Sequence, residues 1–143
     1  MFKNILVAID LADDTQNDTL LRAAAEIANA GNSDVYLLHI VPSAPPHVSQ
    51  FLPKSYEKAT FKRIQKELIA LAENCDLKDI KDASVRSGDA YHEILAYANK
   101  IGANLIIVAS HRPHLSDYLL GTTAARIVRH ASCSTLVIRQ PEG

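Results

Sequence analysis

Short strand-like runs alternate with helically spaced segments along the whole of this chain, and that alternation limits what it can become. The runs cover residues 3–9, 34–41, 82–86, 104–109 and 134–139. Most are continuously apolar, as suits strands buried on both faces. Between them, apolar residues recur three and four apart. Residues 17–30 place Leu20, Ala24, Ile27 and Ala28 on one stripe, widened by Leu21 and Ala25. Residues 55–74 carry Phe61, Ile64, Leu68 and Leu71, and the segment after Asp89 carries Ile94, Leu95, Ala98 and Ile101. A last helix is expected over 122–131. Strand followed by helix, four times over and closed by a fifth strand, specifies an α/β fold. Its five-stranded sheet is open and parallel, with helices on both faces.

The punctuation agrees. Asp13, Asp14 and Thr15 offer caps for the first helix, Asp89 caps the third, and Gly31 and Gly102 are natural stops. Residues 42–46 hold three prolines, which cannot continue a ladder. This stretch reads either as a lid or as a surface excursion. No repeat or composition break divides the chain, so residues 1–143 are expected to form a single domain.

Composition narrows the function. Hydrophobic residues make up 48% and charged residues 22%, which excludes a disordered chain. Fifteen basic residues stand against sixteen acidic ones, so neither nucleic acid nor a membrane surface is an expected partner. Cys75 and Cys133 lack metal-ligand spacing, and a reducing cytoplasm is the simpler location. Cys75 is expected to end its helix in an exposed position, and Cys133 to pack inertly.

Ligands of open parallel sheets bind beyond the carboxyl ends of the strands. Asp10, Ile40 and the run Ala109-Ser110-His111-Arg112 lie at such ends, and Gly121-Thr122-Thr123 opens the last helix. A helix start presents unpaired N–H groups and positive dipole density, which favour an anion. His111 and Arg112 would add charge-assisted contacts. The plainer alternative is that Thr122 or Thr123 caps its own helix. Neither the G-x-x-x-x-G-K-[ST] loop nor a G-x-G-x-x-G turn is present. His39, inside a strand, reads as a satisfied core histidine. His111 and His114 are thin evidence for a metal, and Asp10 and Asp117 are only weak metal candidates. No catalytic triad is visible, so no catalytic residue is assigned.

The opening ILVAID, the LLHIV strand, SGDAYHEIL and the block LIIVASHRPHLSDYLLGTTAARIVRHASCSTLVIR resemble the universal stress protein family over nearly the whole chain. The wording of residues 109–139 is most similar to its F-type branch. The resemblance implies a flavodoxin-like, Rossmann-like domain with strand order 3-2-1-4-5. It implies a homodimer paired through the last strand, Thr135, Leu136, Val137, Ile138 and Arg139. It also implies ATP, with Mg2+ as an accompanying ion, bound through a pattern Gly-x2-Gly-x9-Gly-(Ser/Thr). Here Ala109 and Arg112 replace the first two glycines, Gly121 and Thr122 match the last pair, and eight residues separate Arg112 from Gly121.

By that resemblance, Asp10 and the backbone of Ile40 meet the adenosine, and Ala109 and Ser110 line the ribose and phosphate path. Arg112, Gly121, Thr122 and Thr123 hold the phosphates. The implied protein is a cytoplasmic, nucleotide-binding regulatory switch or interaction module with an unidentified protein partner. Two alternatives stand beside it. One is an interaction protein that has lost nucleotide binding, with Arg112 blocking the site; the other is a slow ATPase on the same site.

Overall fold

The computed structural model describes residues 1–12, 16–42, 47, 50, 51, 53–77, 79–110 and 120–139. Its strands are β1 (Asn4–Ala8), β2 (Asp34–Val41), β3 (Ile80–Ser87), β4 (Leu105–Ala109) and β5 (Ser134–Ile138). Among the described residues four helices alternate with them: α1 (Asn17–Gly31), α2 (Lys54–Glu73), α3 (Ala90–Ile101) and α4 (Thr122–His130). The strands pair in parallel throughout, in the order β3-β2-β1-β4-β5. The α/β architecture and the strand order are those expected.

Consecutive residues of a strand point to opposite faces, and here both faces are covered. Ile5, Val7 and Leu37 turn towards Leu20 and Leu21 of α1 and Leu68 of α2, all at 0–1% exposure. Leu6, Leu38 and Ile106 turn the other way, towards Ile94 and Tyr97 of α3 and Ile127 of α4. Each such aliphatic side chain contributes about 1.5–3 kcal/mol by leaving water. The apolar runs are therefore continuous because the sheet is sandwiched. β3 and β5 lie at its edges.

Element ends follow local chemistry. Asp89 caps α3, its Oδ2 accepting from His92 N at 3.2 Å. Gly102 ends that helix at φ 65, where a side chain would be strained. α1 ends differently from expectation. Gly31 stays helical and Asn32 takes the left-handed position at φ 53, its N–H donating to Ala28 O. Asparagine is the non-glycine residue best suited to that conformation. The N-cap of α1 is Gln16, without a side-chain cap bond. The expected caps Asp13, Asp14 and Thr15 lie outside the described residues, as do residues 43–46 of the proline-rich stretch and 111–119 of the loop after β4.

Cys75 is a correction. It is buried at 4% exposure, because the chain turns after α2 with Cys75 N donating to Ala72 O. Its Sγ lies 3.4 Å from Asp18 Oδ1 of α1. Burial, then the Asp18 carboxylate, pushes its thiol pKa up, and burial does the same for Cys133. Neither is tuned as a nucleophile.

Candidate functional site

The order β3-β2-β1-β4-β5 reverses between β1 and β4, and the chain opens a crevice at such a point. A cavity of about 410 Å3 lies there, beyond the carboxyl ends of β1, β2 and β4. Its walls are largely apolar: Ala8 from β1 and Ile9 just after it, Leu38 and Ile40 from β2, Val108 and Ala109 from β4, and Ile94 from α3. Asp10, Asn17, Thr122 and Thr123 supply polar groups. The volume falls within the roughly 300–1,000 Å3 of small-molecule sites, and a mostly apolar lining with a few convergent polar groups is their usual chemistry.

One end of the cavity is the start of α4. Gly121 is the N-cap, with φ −59 and ψ 153, and no side chain caps the helix. Thr122 and Thr123 are thus inside the first turn, and the plainer reading of either as a cap does not hold. The first intrahelical bond runs from Ala125 N to Gly121 O at 2.9 Å. The amides of Thr122, Thr123 and Ala124 therefore precede the helical ladder. No acidic residue stands in this turn. Glycine at the cap lets a ligand approach the backbone closely.

β4 leads directly to this helix start. Ser110 is fully buried, and its N–H donates to Ile138 O of β5 at 2.9 Å. Its carbonyl accepts from Gly121 N at 2.6 Å. Ala109, Ser110 and Gly121 are thereby brought together although eleven positions separate the last two. His111 and Arg112 lie outside the described residues.

The opposite side of the mouth is formed by the β1–α1 connection. Asp10 is exposed, and its Oδ1 accepts from Ala12 N at 2.9 Å in a tight turn. Its carbonyl accepts from Asn17 Nδ2 at 3.1 Å. This turn bond leaves the carboxylate with further acceptor capacity at the cavity. Asp10 is the one carboxylate among the described lining residues. His39 is half-buried and lines the same cavity. Its Nδ1 sits 2.9 Å from Ile9 O and 3.4 Å from Leu11 N; it serves one of them at a time, and either bond ties the Asp10 turn to β2, so His39 has a partner but stands at the cavity wall rather than in the core. Sequence reasoning passed over His39, Gln16 and Asn17 as lining residues. The strand-end position of His39 was the available signal.

Arg126 and His130 of α4 serve packing. Arg126 stacks 3.9 Å from the centroid of Tyr91, and His130 meets that ring edge-on at 5.8 Å. Among the described residues no cluster of three or more His, Cys, Asp or Glu side chains could hold a metal, and no helix is long and apolar enough to cross a membrane.

Known proteins share this fold. Universal stress protein G of Escherichia coli O157:H7 is 28% identical over 144 residues, covering 97% of this chain and all of its own length. It is a G-type relative, whereas the wording of residues 109–139 resembles the F-type branch. A solved universal stress protein in complex with cAMP has the same fold, with a TM-score of 0.68 at 18% identity over 96% of each chain. The universal stress protein from Archaeoglobus fulgidus in complex with dAMP gives 0.66 at 19% identity, covering 95% of this chain and 97% of its own. The sequence model of the Universal stress protein family spans residues 1–139, and the chain belongs to that family.

Proposed function

We propose that the cavity between β1 and β4 binds an adenine nucleotide, with ATP as the working ligand, and that the protein is a cytoplasmic stress-response regulator. The observation that carries this reading is the bare start of α4, which opens on a largely apolar cavity with neither a side-chain cap nor an acidic residue in its first turn. Such a terminus attracts anions through its amides and its dipole. Family membership supports the same reading, as do the cAMP and dAMP complexes of two proteins with this fold.

In this assignment the apolar ends of β1, β2 and β4 take the base, with the backbone of Ile40 alongside. The Asp10 carboxylate accepts from the adenosine, as an acidic residue at such a strand end does for a ribose hydroxyl. Ala109 and Ser110 line the path to the phosphates. Gly121, Thr122 and Thr123 hold them, with His111 and Arg112 adding positive charge. Mg2+ would accompany ATP on the phosphates. Occupancy of the site would alter residues 110–120 and thereby partner binding. The half-buried β5 edge, with Leu136, Val137 and Ile138, suits pairing with a second copy.

Calorimetric titration with ATP, ADP and AMP, with and without Mg2+, tests the reading. Saturable binding near micromolar affinity, about −8 kcal/mol, is expected. Absence of heat at several temperatures, in protein shown to be free of nucleotide, would overturn it. A second reading, an interaction module without nucleotide, is favoured by Ala109 and Arg112 in place of the family's glycines. Arg112→Ala separates the two: weaker binding means that the guanidinium replaces lost donors, and stronger binding means that it obstructs. Any turnover is expected to be slow and to vanish on changing Asp10 or Thr122.

A further inference from the structure

A second groove, of about 440 Å3, runs between α2 and the edge strand β3, away from the nucleotide cavity. Ile69, Ile80 and Ala83 give it apolar lining, and the exposed Lys62, Lys66 and Lys81 line it as well. The two helix lysines belong to a longer series. Lys54, Lys58, Lys62 and Lys66 follow at intervals of four along α2, which places three like-charged neighbours in succession. Such pairs cost a helix stability. All four, and Lys81, are exposed, and among the described residues none pairs with a carboxylate. Two acids adjoin the groove. Glu73 stands at its far end, and Asp82 has its carboxylate engaged by Tyr97 on the other face.

The strand beside these lysines offers backbone groups. Gly88 N donates to Val41 O of β2, so even-numbered residues of this part of β3 face β2 and odd-numbered ones face outward. Ala83 O is accordingly turned out, and it accepts from Gln65 Nε2 at 2.8 Å. That side-chain amide occupies the carbonyl as the N–H of an added strand would.

We propose that this groove docks an extended acidic segment of a partner protein. The segment adds to the β3 edge by main-chain bonds, displaces the Gln65 amide, and sets its carboxylates against Lys62, Lys66 and Lys81. Strand addition of this kind draws affinity from the backbone and specificity from alternate side chains. The charge selects an anion, and the strand edge selects a polypeptide. A single-stranded nucleic acid would call for stacking aromatics, and the described lining residues hold none.

The probe is a fluorescein-labelled peptide of alternating glutamate and valine, as long as β3, titrated into the full-length protein by anisotropy. Saturable binding that weakens with salt is expected. The Lys62→Gln, Lys66→Gln, Lys81→Gln triple variant should lose about tenfold or more in affinity, each exposed charge contributing modestly. Its circular dichroism and thermal midpoint report whether the fold is kept. Gln65→Ala should bind severalfold more tightly, because it removes the competitor for Ala83 O. The same peptide N-methylated at alternate residues should not bind. Equal binding by the N-methylated peptide would overturn strand addition. Tighter binding of oligothymidylate or phosphatidylserine vesicles to the same lysines would overturn the polypeptide assignment. Absence of binding would mean that the lysines only guard the edge against self-pairing, and would end the proposal.

Discussion

Replacing Tyr97 by phenylalanine tests how α3 is fastened to the edge of the sheet. Tyr97 is 4% exposed, and its O–H donates to Asp82 Oδ2 of β3 at 2.9 Å. Ser84 Oγ lies 2.8 Å from the same oxygen and 3.0 Å from the phenol, so its single proton goes to one or the other. At neutral pH the variant loses a hydrogen bond to a charged acceptor, worth about 1–2 kcal/mol since Ser84 and water still serve Asp82. Burial first, and then the Asp82 carboxylate, pushes the Tyr97 pKa from 10.0 up to about 12. The neutral phenol is the form that the fold favours. Its contribution is therefore fully present below the unfolded pKa near 10 and is lost as pH rises through about 12. Two units correspond to about 2.7 kcal/mol at most, trimmed to about 1–2 by solvent around the exposed Asp82. Urea unfolding followed by far-UV circular dichroism measures both proteins at about pH 8 and about pH 11. The wild type should lead by about 1–2 kcal/mol at the lower pH, and the gap should narrow by about half or more at the higher. A gap of constant size, or none at pH 8, would refute the assignment. Nucleotide affinity should not change, because Tyr97 does not line the cavity.

Asp89→Ala removes the cap of α3 and should cost about 0.5–2 kcal/mol in urea unfolding. Gly88→Ala should cost about 1–3 kcal/mol, because Gly88 holds φ 142 and a Cβ there would meet Glu93 Oε1 at 3.1 Å. Adding Glu93→Ala should not restore stability, since the strain is in the backbone. Thr123→Glu places a carboxylate in the first turn of α4. Stability should rise by about 0.3–1 kcal/mol while calorimetric affinity for ATP falls at least about tenfold. A stabilised protein with unchanged affinity would remove α4 from the nucleotide reading.

The sequence carried most of the architecture because the sheet is covered on both faces. Runs such as Ile5 to Ile9 can then be apolar at every position, and β2 occupies the residues expected of it. β3 was harder to delimit. As an edge strand it takes polar residues such as Lys81 and Asp82, so its true extent, Ile80–Ser87, exceeds the expected 82–86. The strand order came from family likeness, because periodicity along a chain does not say which strands lie side by side. Cys75 was legible in retrospect. It continues the spacing of Leu68 and Ala72 by one further step, past the point where α2 ends. The candidate site was legible at strand ends and at Gly121, where backbone geometry concentrates polar groups. The bracing of the Asp10 turn by His39 was not, because it joins neighbouring strands through one side-chain atom.

The bond from Gly121 N to Ser110 O has a consequence for how such proteins diverge. It clamps both ends of the intervening segment onto β4 and α4, and Ser110 is held in turn by Ile138 O. What lies between the clamped ends can change in length while the first turn of α4 stays in place. Lengthening costs only loop entropy, about 0.6 kcal/mol for each doubling. The sheet and the start of α4 then tolerate changes in the length between them, and the same joint is where a reporter domain could be spliced in without disturbing the sheet.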